Sequence, residues 1–248
     1  MSIFGDAAWV KPLPLVRTEP MACPYLPGRL EQRLVTLLPP GEPGTPREFD
    51  TLTRAGFRRS QHYAYRPACP SCHACVPCRI PIAAFVPNAS QRRCVRRNAD
   101  LVTNLSPALA TREHYALFRR YEAERHGDGD MARMRYPHYR AMIEASAVDT
   151  MLVEHRRHDG RLMAVALVDR LGDGLSAVYS FFEPGEAQRG LGVWCVLDLV
   201  RRARMAQLPH VYLGYWIRDC RKMSYKTLFR PLEMLTADGW RVFEPDGA

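Results

Sequence analysis

Lysine is nearly missing from this chain: of its 35 basic side chains only Lys11, Lys222 and Lys226 are not arginine. Missing too is any apolar run approaching the ~20 residues that a membrane-spanning helix needs. The longest, LGVWCVLDLV, is broken by Asp198 and followed by Arg201 and Arg202. The opening MSIFGDAAWVKPLPLV has Asp6 and prolines where the apolar core of a secretory signal would stand. The expectation is therefore a cytoplasmic protein whose eight cysteines stay reduced unless a metal takes them. No G-x-S-x-G elbow exists, and Cys195 stands inside an apolar stretch, so no side chain is marked as a covalent nucleophile.

What is present is positive charge. The chain carries a net +9 over 248 residues, held almost wholly by arginine, whose planar fork suits phosphate. A polyanionic partner such as nucleic acid is the natural inference, with arginine-favouring base composition as the alternative. Clustering adds information: QRRCVRRNAD packs Arg92, Arg93, Arg96 and Arg97 into six residues, a density that repels itself without an anion nearby unless water alone solvates the face.

Two regions differ in texture. Residues 1–98 are rich in proline, cysteine and arginine with short apolar runs, which predicts a small Cys- and Arg-rich β module. Within it EQRLVTLLP reads as a strand. TPREFDTLTRAGF reads as a helix with a capping box from Thr45 to Glu48, Pro46 at the first helical position and Gly56 as its stop. FRRSQHYAYRP and RIPIAAFVP read as extended segments that place the intervening loop at the end of a sheet. Residues 99–248 alternate helix and strand. TREHYALFRRYEAERHG and YPHYRAMIEAS are helical; DTMLVEHR, RLMAVALVDRL and LSAVYSFFEP form an antiparallel meander broken at HDG and GDG. RGLG then opens a long helix, followed by the strand LPHVYLGYW, a short helix in DCRKMSYKTLF and a last extended segment. The fold class expected is α+β.

CPSCHACVPC places Cys69, Cys72, Cys75 and Cys78 at an unbroken spacing of three. Paired C-x-x-C turns aim thiolates at one ion, but zinc ribbons separate their two pairs by far more than the two residues found here. The run looks more like an iron–sulfur loop, which borrows a further cysteine, and Cys23 and Cys94 are available. A metal or cluster site and a reduced structural loop both stay open.

The order of elements after residue 99 resembles the GCN5-related N-acetyltransferase fold, in which a Gly-rich turn presents a helix N-terminus to pyrophosphate. AQRGLG matches its latter half with Arg189, Gly190 and Gly192, and departs from it at Ala187. Over nearly the whole chain, CPYLPGR, GFRRSQHYAYRPACPSCHACVPCRI, RRNADL and YLGYWIRDCRKMSYKTLFRPLE resemble the bacterial aminoacyl-tRNA protein transferases. The resemblance is to the leucyl-tRNA branch related to eukaryotic arginyltransferase. It implies transfer of leucine from leucyl-tRNA to a protein's N-terminal Asp or Glu, marking that protein for N-end rule degradation. In the eukaryotic relatives cysteine pairs are implicated in iron–sulfur binding. Here Cys23 matches the first, but Leu26 stands at the second, so the cysteine loop is read as part of the peptide-binding module with no obligatory cluster.

An aminoacyl ester is already activated, so no cofactor is required and positioning should dominate. Asp219 and Tyr225 are candidates to orient the acceptor amine, with a helix cap and a packed aromatic as their plain alternatives. Lys222 and Lys226, four apart on one predicted helix, are candidates for the tRNA acceptor end, together with Arg189, Gly190, Gly192 and the four clustered arginines. An acidic N-terminus calls for a bidentate cation, and Arg58, Arg59, Arg66 and Arg79 flank the cysteine loop. A coenzyme A-dependent acetyltransferase and a noncatalytic zinc-dependent RNA-binding module are the rival classes.

Overall fold

The apolar runs of the second half are long because a sheet lies buried on both faces. The structure, a computed structural model, describes residues 13–125, 127 and 129–244; the opening segment with Lys11 lies outside the described residues. In chain order the elements are β1 (Val16–Arg17), β2 (Met21–Ala22), β3 (Leu30–Glu31), β4 (Arg33–Leu37), α1 (Thr45–Arg54), β5 (Arg58–Ser60), β6 (Tyr63–Pro67) and β7 (Val76–Pro81). Then follow α2 (Ala89–Arg97), β8 (Leu101–Pro107), α3 (Arg112–Arg125), α4 (Tyr136–Glu144), β9 (Thr150–Arg157), β10 (Leu162–Leu171) and β11 (Gly174–Phe182). Last come α5 (Leu191–Met205), β12 (His210–Trp216), a 3-10 helix over Arg221–Leu228, β13 (Glu233–Thr236) and β14 (Gly239–Val242).

Eight strands form the main sheet in the order β14-β13-β7-β12-β11-β10-β9-β8. Its pairings are antiparallel except β11 with β12, which α5 joins by a crossover. On one face Trp194, Leu197 and Val200 of α5 pack against Val153, Met163 and Val168. On the other, Leu117 and Phe118 of α3 and Tyr139 and Ile143 of α4 pack against Leu152, Val165 and Phe181. β10 is therefore covered on both sides, which is why RLMAVALVDRL reads as a continuous apolar run rather than an alternation. The α+β class and the meander of β9, β10 and β11 are as expected.

A four-stranded sheet, β1-β4-β6-β5, carries α1 over a smaller core of Leu38, Phe49 and Phe57. The cysteine loop does not project from the end of one sheet, as expected, but crosses from β6 in this sheet to β7 in the large one. Residues before and after the expected boundary at 98 thus share a sheet. The reason is chemical: Cys78 and Ile80 of β7, with Ile82 just beyond it, present an apolar face that the small module cannot cover and the large core can.

One helix start differs from the sequence pattern. Thr45 does not cap α1; Gly44 stands at the cap position with no side-chain bond, and the Thr45 hydroxyl donates instead to Pro39 O at 2.8 Å. A true capping box closes α2, where Asn88 accepts from the Gln91 N–H and the Gln91 side chain accepts from the Asn88 N–H, both at 2.9 Å. Gly56 stops α1 as expected, at φ +87°.

Candidate active site

Parallel β11 and β12 pair only across Gly174–Ser176 and His210–Tyr212. Beyond that point each keeps its other neighbour, β10 or β7, and the two strands part. The wedge between them opens into a cavity of about 640 Å³. Its walls take Ala177 to Ser180 from β11, Leu213 to Tyr215 from β12, Arg58 and Tyr65 from the small sheet, and Tyr121 from α3. Met131, Met134 and Met142 make an apolar flank, and Lys222, Tyr225 and Lys226 come from the 3-10 helix.

Arg58 stands where the strands separate. Its guanidinium donates to Ala177 O at 2.5 Å, a carbonyl just past the last residue that β11 pairs with β12. It lies over Gly214, where a Cβ would come within 2.8 Å of Arg58 Cζ. Gly214 also has φ +77°, so glycine is required there twice over. Lys226 is buried and donates to Tyr215 O. Burial lowers its ammonium to about 8, with Arg58 adding repulsion and Cys78 opposing. On the α3 side, the Tyr179 hydroxyl donates to Oε1 of Glu122, a fully buried carboxylate.

The residues expected to grip an acidic N-terminus separate into Arg58, half-buried at the cavity with its guanidinium on Ala177 O, Val178 O and Ser176 Oγ, and three committed elsewhere. Arg59 borders the cavity, but its side chain is 1% exposed and committed to Asp169, to which it donates two bonds of 2.8 Å. Arg79 is paired with Glu233 at 2.6 Å and lies 4.3 Å from the centroid of Trp240. Arg66 donates to Ala55 O and covers the Phe57 ring. Of the expected catalytic pair, Tyr225 lines the cavity, while Asp219 is exposed in the turn after β12 and is not among the lining residues. Lys222 and Lys226 do not share one face. The 3-10 helix advances three residues per turn, so side chains four apart diverge, and Lys222 is exposed where Lys226 is buried.

Arg92, Arg93, Arg96 and Arg97 all lie on the exposed face of α2, with Gln91, Cys94 and Asn98 turned inward. Cys94 and Asn98 bond the carbonyl of Arg189, which sets this basic face beside the start of α5. Arg189 itself is committed: it grips Asp100 with two bonds of 2.8 and 2.9 Å and Glu186 at 3.2 Å. Gly190 takes φ +66° to turn into α5, and a Cβ on Gly192 would lie 3.1 Å from the Phe182 ring, so both glycines have a structural reason to be there.

The thiols group otherwise than the spacing suggests. Cys23, Cys69, Cys72 and Cys75 line one small cavity, while Cys78, on β7, is buried apart with its Sγ on Gly214 O. Burial, then the crowding of Cys23, Cys69 and Cys72, pushes the Cys75 thiol up to about 12. The Ala74 N–H and Arg29 hold Cys72 below the ordinary thiol range, Arg29 donating to its Sγ at 3.2 Å. Among the described residues no three Cys, His, Asp or Glu side chains are arranged to hold a metal ion.

The family described as "Arginine-tRNA-protein transferase, N terminus" matches residues 21–93, and its C-terminal counterpart matches residues 113–236. An aspartate/glutamate leucyltransferase of Parvibaculum lavamentivorans is 54% identical over 225 residues, covering 91% of this chain and 92% of that protein. One from Gluconacetobacter diazotrophicus is 50% identical over 229 residues, covering 92% and 87%. Among solved structures, L-PGS from Bacillus licheniformis superposes with a TM-score of 0.47 at 10% identity, covering 81% of this chain and 68% of that one. FemX gives 0.44 at 12% identity, covering 77% and 65%.

Proposed function

The chain belongs to the arginine-tRNA-protein transferase family, and from that premise we propose that it moves leucine from leucyl-tRNA to the α-amino group of a protein's N-terminal Asp or Glu. The observation that carries this reading is the cavity in the β11/β12 wedge, cationic at Arg58 and apolar at its methionine flank. The acceptor's carboxylate meets the Arg58 fork, and the leucyl side chain lies against Met131, Met134 and Met142. Lys222, on the exposed side of the 3-10 helix, faces the terminal phosphates of the tRNA, while the buried Lys226 holds Tyr215 O at the cavity wall. Tyr225 orients the amine.

Attack of the neutral amine on the ester carbonyl forms the C–N bond, and the ribose oxygen leaves with a proton. The donor is already activated, so the protein's contribution is to hold amine and ester in register and exclude water. The reaction is placed in the cytoplasm and its product in N-end rule degradation. No helix among the described residues is long and apolar enough to cross a membrane.

Peptides beginning with Asp or Glu are expected to gain the mass of one leucine on incubation with leucyl-tRNA, and peptides beginning with Ala or Lys are not. Acetyl-CoA should not replace the donor. Acetylation without tRNA, or equal transfer to Ala and Asp peptides, would replace this reading with the acetyltransferase.

The exposed face of α2 is proposed to carry the tRNA backbone. Replacing Arg92, Arg93 and Arg96 with Glu should weaken tRNA binding at low salt. The slope of log K against log salt should fall by roughly 0.7–0.9 for each phosphate that no longer has a cation beside it. A filter-binding titration at several salt concentrations measures it, and an unchanged slope would return these arginines to a merely solvated surface.

A further inference from the structure

Helix α3 turns His114, Leu117, Phe118 and Glu122 toward the core, and the last is a carboxylate at zero exposure. One of its oxygens accepts from the Tyr179 hydroxyl; the other, Oε2, is buried with no hydrogen-bond partner among the described residues. A buried carboxylate oxygen left without a donor is costly, and such groups concentrate where a site's chemistry needs them. Tyr179 lies on β11 in the wall of the wedge cavity, so the carboxylate reaches the cavity through one phenol. That phenol is an unusual ligand. Burial and the Glu122 bond raise its ionisation far above the ordinary range, so it stays protonated with its hydrogen directed at Glu122. Only the lone pairs of Tyr179 Oη are left for the cavity, and what it can take from there is an N–H or O–H donor. In a cavity of this kind the cationic donor is the acceptor's α-amine.

Resting on the leucyl-transfer reading, we propose that Tyr179 is the proton acceptor for the incoming α-amine and that Glu122 is the positioning residue behind it. The bound ammonium passes one proton to Tyr179 Oη while the phenol's own proton passes to Glu122 Oε1; the neutral nitrogen then attacks the ester carbonyl, and the one surplus proton it still carries is lost to water as the amide forms. When the C–O bond to ribose breaks, the pair runs in reverse: Glu122 returns a proton to Tyr179, and Tyr179 gives one to the departing ribose oxygen. The pair ends each turnover in the protonation state in which it began.

The size of the effect follows from the amine. An α-amine with a pKa of about 7.7–8.0 is neutral in only about one molecule in ten at pH 7, so losing the relay should cost about tenfold there and little at pH 9. The experiment compares the full-length protein with Tyr179→Phe, Glu122→Gln and the double variant in leucine transfer from leucyl-tRNA to an Asp peptide between pH 6 and 9.5. Each single variant should lose about tenfold in kcat at pH 7 with KM for peptide and leucyl-tRNA within about twofold, and the double variant should be no worse than either. Their rates should keep rising to pH 9, past the point where wild type has levelled. Thermal unfolding separates misfolding from chemistry, and Tyr179→Phe, which keeps the ring, decides the matter if Glu122→Gln does not fold. Transfer by Tyr179→Phe at the wild-type rate, or a loss confined to KM with a parallel pH profile, would overturn the relay alone. Absence of leucine transfer by the wild type would overturn the leucyl-transfer reading and the relay with it.

Discussion

Replacing Arg59 with Ala is expected to destabilise the protein by about 3–5 kcal/mol, because it strands a buried carboxylate. Asp169 on β10 has zero exposure and receives both Arg59 nitrogens at 2.8 Å, with Thr150 Oγ1 donating to it at 2.7 Å. Arg59 in turn donates to Gln61 O and Ala145 O, so its guanidinium binds the small sheet, β10 and the chain after α4 in one place. In a chain of this size roughly 2–4 °C of melting temperature is lost per kcal/mol, so the midpoint should fall by on the order of 10 °C. Replacing both partners with apolar residues, Arg59→Met with Asp169→Leu, should recover much of the loss, since it leaves no unpaired charge behind. Calorimetric scans of the three variants measure this. A single-variant loss under about 1 kcal/mol would show that water reaches Asp169 once the arginine is gone.

Arg58, one residue away, should behave in the opposite manner, costing function more than fold. It is half-buried at the mouth of the wedge and is the arginine proposed to meet the acceptor's carboxylate. Truncating one side of a desolvated charge pair costs about 2–5 kcal/mol, so Arg58→Ala should lower kcat/KM for Asp and Glu peptides by roughly 30-fold or more. Background transfer to Ala peptides should change far less, and the preference for acidic N-termini should collapse. Arg58→Lys should restore only part of it, because a point charge lacks the fork that grips a carboxylate twice. Gly214→Ala gives an independent route to the same result, since its Cβ would press on Arg58 at 2.8 Å and its backbone would be strained at φ +77°. Transfer rates for paired Asp and Ala peptides decide the point. An equal fall for both would assign Arg58 to holding the carbonyls of Ala177 and Val178 rather than substrate.

Much of this chain is legible from its sequence, for a common reason: the governing interactions are local or periodic. The meander of β9 to β11, the crossover helix after RGLG and the stop at Gly56 follow from turn chemistry and apolar spacing. The clustering of Arg92, Arg93, Arg96 and Arg97 is legible too, but that a helix turns all four outward with Cys94 inward is known only from the structure. Tertiary structure decided which of several equivalent side chains does what. Arg58 and Arg59 are neighbours with the same chemistry, but on a strand they face opposite ways, and only the packing of β5 on β10 gives one to Asp169 and the other to the cavity. Cys78 leaves the thiol group because β7 enters the large sheet, and Cys23 joins it from just after β2. The Thr45 hydroxyl bonds Pro39 O rather than its own helix, a choice between bonds that no local pattern contains. Glu122 was readable in one respect: an acid four residues after Phe118 sits on the apolar stripe of α3, where burial without a partner is costly. That the phenol across from it is Tyr179, and that their dyad borders the wedge where β11 and β12 part, depends on two strands joined only through a crossover helix meeting for three residues and then separating. Sequence determines where strands begin and end; how far two of them stay together is settled by what packs on each, and the cavity exists only where that packing pulls them apart.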